Sequence, residues 1–208
     1  MRQSAVLIDL DGVLRRWDAD DVALERDCGL PPGAIREVAF APDLIRPALT
    51  GAVADGVWRD RIADRLRSRH PGADVERAVS LWSSGCGEVD ERVLALLRRV
   101  RPECKVVLVT NATTRLRSDL ERLGLPDELD HVVNSAEVGT AKPDPAIFEA
   151  ALRAAGTAAA EALFVDDLPV HVRAAERLGC RGHVFRGADG LADRLVEVGL
   201  LPTDAVSS

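Results

Sequence analysis

Short apolar runs that stop at a polar residue recur along this chain, and no other feature constrains its fold as much. The runs are Ala5–Ile8, Val106–Val109, His131–Val133, Ala162–Val165 and Gly182–Phe185. None alternates strictly between apolar and polar positions, so each reads as a strand covered on both faces. Helical patterns with clear punctuation lie between and after the later runs. Thr114–Leu123 ends at Gly124, and Asp144–Ala155 starts beside Pro145 and ends at Gly156. Val170–Leu178 stops at Gly179, and Leu191–Val198 stops at Gly199. Strand and helix in alternation predict a parallel sheet with helices on both faces.

The first two runs break this rhythm. About ninety residues separate them, against the dozen or so that a crossover needs. Within the gap, Asp20–Cys28, Ile35–Ala39, Asp43–Leu49, Val57–Arg69 and Asp74–Trp82 read as short amphipathic helices. The return linker is "SSGCG", Ser83–Gly87, followed by a crossover helix Glu91–Val100 with Asp90 as its N-cap. The fold class is therefore α/β. A Rossmann-like parallel-sheet core is expected over 1–16 and 88–208, with a small, mostly helical domain over 17–87 inserted between the first and second strands.

The chain is long enough for this plan, with 208 residues of which 47% are hydrophobic. Its net charge of -7, from 27 basic and 34 acidic residues, gives no electrostatic footprint for nucleic acid. Apolar runs are too short to span a membrane, and "MRQSAVLIDLDG" passes into a strand with no signal-peptide pattern. Cys28, Cys86, Cys104 and Cys180 are scattered without a Cys-x-x-Cys pair, which disfavours a zinc site and fits reduced thiols. A cytoplasmic protein is expected, with no nucleic-acid or membrane partner. These features leave the oligomeric state open.

Chemistry gathers where the strands stop. The first run ends in Asp9 and Asp11, and the second in Thr110 and Asn111 of "VVLVTNAT". Lys142 follows the third in "GTAKPDPAIF", and Asp166 and Asp167 end the fourth in "LFVDDLP". Taken singly, these residues also suit turns, helix caps or solvated side chains. In a parallel sheet, however, all strand ends share the edge at which open α/β sheets bind ligands. Four carboxylates in one site repel one another, and a hard divalent cation relieves this. Oxygen ligands favour magnesium, which pairs readily with phosphate oxygens. One carboxylate can act as a nucleophile towards phosphorus, and a second can move the proton.

The four stretches "DLDGV", "VTNA", "GTAKPDPAIF" and "FVDDLPVHVRAAERLG" resemble, in order and spacing, the four motifs of the haloacid dehalogenase (HAD) superfamily. The resemblance covers about 4–16 and 88–186, and the insertion matches the usual place and size of that superfamily's helical cap. It implies a magnesium-dependent hydrolase of small phosphate monoesters that works through an aspartyl-phosphate. By this resemblance Asp9 is the nucleophile and a metal ligand. Asp11 is the general acid/base, with its backbone carbonyl on the metal. Thr110 and the backbone around Asn111 hold phosphoryl oxygens, and Lys142 neutralises charge. Asp167 binds magnesium, with Asp166 in or just outside its coordination shell. Dehalogenases of the superfamily lack a carboxylate at the position of Asp11, so its presence implies a phosphatase acting on a small phosphorylated metabolite.

Three other functions fit less well. A phosphomutase of the same superfamily would return the phosphoryl group to a sugar. A phospho-receiver signalling domain also gathers acids, Thr and Lys at strand ends, but is shorter and uses a middle strand. A silent binding module would be expected to lack a motif residue. Relatives often carry asparagine where this chain has His171, which either supports the acidic loop by a hydrogen bond or titrates near neutral pH and tunes that loop. Trp17, Trp58 and Trp82 read as core, and Arg15 and Arg16 as a solvated pair.

Overall fold

The computed structural model of the chain describes residues 3–17 and 20–202. In chain order, the first strands and helices are β1 (Ala5–Ile8), β2 (Arg15–Arg16), α1 (Asp21–Asp27), α2 (Ala34–Ala39), α3 (Pro42–Leu49), α4 (Asp55–Arg69) and α5 (Val75–Trp82). There follow β3 (Glu88–Val89), α6 (Glu91–Val100), β4 (Lys105–Thr110), α7 (Leu116–Arg122), β5 (His131–Asn134) and α8 (Ser135–Val138). The last are α9 (Pro145–Ala155), β6 (Ala162–Asp166), α10 (Pro169–Arg177), β7 (Arg181–Val184) and α11 (Ala188–Glu197).

Five strands form one parallel sheet in the order β5-β4-β1-β6-β7. The central strand β1 pairs Ile8 with Leu108 on one side and with Val165 on the other. This register brings the residues that follow β1, β4 and β6 to a common edge. Successive side chains of β1 enter opposite layers. Val6 and Ile8 pack with Leu97 of α6 and Leu191 of α11, whereas Ala5 and Leu7 pack with Phe148 of α9 and Val172 of α10. Both faces are thus buried, which is why the apolar runs show no alternation.

Helices α1 to α5 surround an apolar cluster of their own that includes Ile35, Val38, Trp58, Ile62, Leu66 and Val75. Glu25 is fully buried there and accepts hydrogen bonds from the Gly33 and Ile35 amides at 2.5 and 2.8 Å, capping α2. The two chain crossings between this helical unit and the sheet are zipped together. β2 and β3 pair antiparallel, Arg15 with Val89 and Arg16 with Glu88. Two-residue strands have no period to read, so the sequence did not disclose this pairing.

Helix α7 starts at Leu116 rather than at Thr114 because the two preceding threonines are engaged elsewhere. The Thr113 hydroxyl donates to Asp55 Oδ1 at 2.7 Å, and Thr114 Oγ1 accepts from the Asp55 amide at 2.9 Å. That amide opens α4 and would otherwise lack a partner. Helix α8 was also not foreseen, and β7 lies one residue earlier than expected. No described helix is long and apolar enough to cross a membrane.

Candidate active site

Asp9 follows β1 and remains tied to the sheet, its amide donating to the Val165 carbonyl at 2.9 Å. Its carboxylate is buried and accepts from the Leu10 amide at 2.8 Å. Lys142 Nζ lies 2.7 Å from Asp9 Oδ1 and 2.7 Å from Asp166 Oδ2, and donates to the Val109 carbonyl at 2.9 Å. One ammonium thus joins the ends of three adjacent strands. Burial pushes the Asp9 carboxyl up to about 6 against the opposing pull of Lys142. Burial also acts to raise Asp166, but the His171 hydrogen bond and Lys142 outweigh it and hold that carboxyl below the ordinary range.

Asp9, Asp166 and Asp167 offer carboxylate oxygens that all lie within 4.8 Å of one another, a grouping that suits a hard cation. The two adjacent acids differ. Asp166 is fully buried and holds Lys142, the Leu168 amide at 2.8 Å and His171 Nδ1 at 3.0 Å. Asp167 faces the cavity, and burial together with the charge of Asp166 raises its carboxyl. His171 therefore ties Asp166 to α10. Thr110 ends β4 and is buried. The Asn111 side chain exchanges two hydrogen bonds with the Lys142 backbone, at 2.7 and 3.0 Å, and so braces the lysine loop.

A cavity of about 600 Å³ opens between this edge and the helical unit. Asp9, Asp11, Thr110, Asn111, Lys142 and Asp167 all line it. The Asp11 carboxylate stands apart from the acidic group. Arg15 grips it through Nε at 2.8 Å and Nη2 at 2.9 Å, and the Trp17 indole donates to it at 2.6 Å.

Arg15 corrects an expectation. It is only 4% exposed rather than solvated, because it also reaches Asp119 at 3.4 Å and the Cys86 carbonyl at 3.3 Å. Arg16 is exposed, as expected of a solvated residue. Trp17 is 46% exposed and lines the cavity instead of the core, and Trp82 lines it too. Trp58 is buried in the helical cluster while also bordering the cavity. Asp119 and Arg115 were missed altogether. Arg115 pairs with Asp119 at 3.0 Å and donates to the Ser83 and Gly85 carbonyls, while Arg122 takes the Ser84 carbonyl at 3.0 Å. With the Arg15–Cys86 bond, four successive carbonyls of the return linker are held by arginines. In the sequence, Arg115 and Asp119 look like an ordinary helical i,i+4 pair.

Fold and site together define an α/β enzyme with a carboxylate-rich centre at the carboxyl edge of its sheet. The family model described as haloacid dehalogenase-like hydrolase matches residues 3–179, and the chain belongs to this family of hydrolases. It is 29% identical over 203 residues to Phosphatase MT3486 of Mycobacterium tuberculosis, covering 94% of this chain and 93% of that protein. It is 38% identical over 95 residues to Pyrimidine 5'-nucleotidase YjjG of Escherichia coli, covering 45% of this chain and 41% of that enzyme. Its fold is similar to that of a HAD family enzyme of Bacteroides thetaiotaomicron, crystallised with magnesium and inorganic phosphate. That match has a TM-score of 0.72 and 24% identity, covering 88% of this chain and 94% of the other.

Proposed function

We propose that this chain is a magnesium-dependent phosphomonoester hydrolase that transfers the phosphoryl group to Asp9 and then to water. The observation that carries this reading is the buried Asp9 carboxylate at the cavity, bonded to Lys142 and grouped with Asp166 and Asp167. Relatives named phosphatases and nucleotidases support it.

In this reading Asp9 attacks phosphorus while Asp11 gives a proton to the departing ester oxygen. The products of that half are an alcohol and an aspartyl-phosphate. Asp11, now a carboxylate, takes a proton from water as the water attacks phosphorus and frees Asp9. Lys142 offsets negative charge on Asp9 and on the moving phosphoryl group, held in place by Asp166 and by the Asn111 brace. Thr110 and the amides around Asn111 bind phosphoryl oxygens. The donor set of Asp9, Asp167 and Asp166, with the Asp11 carbonyl, fits magnesium, which when bound neutralises the phosphoryl oxygens. Residues 17–87 act as a cap that limits water at the site.

The test is phosphate release from a panel of phosphomonoesters, with magnesium and after chelation. Turnover is expected only with metal and is lost in Asp9→Asn. Normal activity of purified Asp9→Asn protein refutes the mechanism. Isomerisation of sugar phosphates without phosphate release would point to the mutase instead.

A further inference from the structure

We infer that the organic body of the substrate is apolar and carries no second anionic group. This rests on the phosphatase reading above. The cap side of the cavity is walled by Phe40, Ile45, Leu49, Trp58 and Trp82. Phe40 is 49% exposed there, as suits an apolar side chain that lines a ligand cavity. Trp82 leans on Trp58 with ring centroids 5.9 Å apart, so the aromatic wall is itself supported by the cap core.

Each of the four arginines around this wall has an acid between 2.6 and 3.9 Å away, the hold on Arg36 being the loosest. Arg15 faces Asp11 at 2.8 Å, Arg59 faces Asp55 at 2.6 Å, and Arg115 faces Asp119 at 3.0 Å. Arg36 has Asp21 at 3.9 Å and lies over the Phe40 ring at 5.2 Å. Among the described residues lining the cavity, Lys142 is the remaining Lys or Arg, and it sits at the reacting centre. A second phosphate or carboxylate on the substrate would compete with four acids for four arginines. An apolar chain or ring would instead displace water from Phe40, Ile45, Leu49 and Trp82.

The experiment compares three esters with similar leaving oxygens: ethyl phosphate, hexyl phosphate, and the hexyl ester carrying a terminal carboxylate. With magnesium present, kcat/KM for hexyl phosphate is expected to exceed that for ethyl phosphate by about tenfold or more, as methylenes leave water. The terminal carboxylate is expected to cancel most of that gain. In Leu49→Asp the hexyl-to-ethyl ratio falls towards one, and because it is a ratio it does not depend on how much of the variant is folded. Equal rates for ethyl and hexyl phosphate, or preference for the carboxylate-ended chain, overturn this inference and leave the phosphatase reading standing. Failure to hydrolyse any of the three, or p-nitrophenyl phosphate, removes both.

Discussion

Arg15 holds both oxygens of Asp11 in a forked pair, at 2.8 and 2.9 Å, while itself buried against Asp119. A planar fork fixes the direction in which the Asp11 carboxyl group points. If Asp11 protonates the leaving oxygen, Arg15 determines where that proton is offered. Arg15→Gln should therefore lower kcat/KM about 10- to 100-fold for alkyl phosphates, whose leaving oxygens need the proton. For p-nitrophenyl phosphate, whose leaving group departs without one, the change should stay within about threefold. Because kcat/KM reports the first half-reaction, the comparison isolates protonation from the later attack by water. Equal losses on both substrates would make Arg15 merely structural.

Lys142 bridges Asp9 and Asp166, 2.7 Å from each. Lys142→Met leaves two buried carboxylates facing each other without their shared cation. Removing one partner from a buried ionic group typically costs about 3–5 kcal/mol. Urea denaturation of the metal-free variant should show a loss of that order, together with loss of phosphate release. Millimolar magnesium should restore part of the stability, since a divalent cation supplies charge to the same carboxylates. A variant as stable as the parent would mean that the carboxylates are not charged in the folded protein.

The Asp9 carboxyl has an opposite influence on folding. Burial raises it from the ordinary 3.8 to about 6. Between those values the folded protein keeps a proton that the unfolded chain has lost, so stability falls as pH rises through that window. Above about pH 6 the cost is complete, on the order of 3 kcal/mol. Asp9→Asn removes it. The metal-free variant should melt several degrees above the parent at pH 7.5, and the difference should vanish near pH 4. Melting curves at the two pH values check this, and an equal difference at both would refute the titration as its source.

The parts of the site that could be read from sequence are those carried by the sheet. Ala5–Ile8 and Ala162–Val165 are legible because both faces of each strand are buried, and parallel pairing then brings Asp9 beside Asp166. Lys142 was legible through its motif, while the Asn111 brace that aims it was not, since it joins residues 31 apart. Arg15 was misread for a related reason. It looks solvated in its own segment, and its burial depends on Asp119, 104 positions later. The hairpin of β2 and β3 is equally non-local and too short for any periodic signal. Local pattern shows what a segment can become, whereas these contacts exist only after the sheet and the helical unit have met.

Gly12, directly after Asp11, sits where the chain leaves the site with φ of +79°. A Cβ built there would stand 2.7 Å from Asp167 Oδ2 and 3.0 Å from its Cγ. Two separate costs follow for Gly12→Ala. The left-handed backbone disfavours any side chain by about 1 kcal/mol. The methyl also pushes aside the acid that faces the cavity. Gly124→Ala separates these effects, because Gly124 has φ of +68° but nothing within 4 Å of its built Cβ. Both variants should lose a few degrees of melting temperature. Only Gly12→Ala should need more magnesium for half-maximal phosphate release, by about tenfold or more, as expected when a metal-site contact is disturbed. A magnesium titration of the two variants decides the matter. Matching curves would place Asp167 outside the metal site and leave Asp9 and Asp166 as its carboxylates.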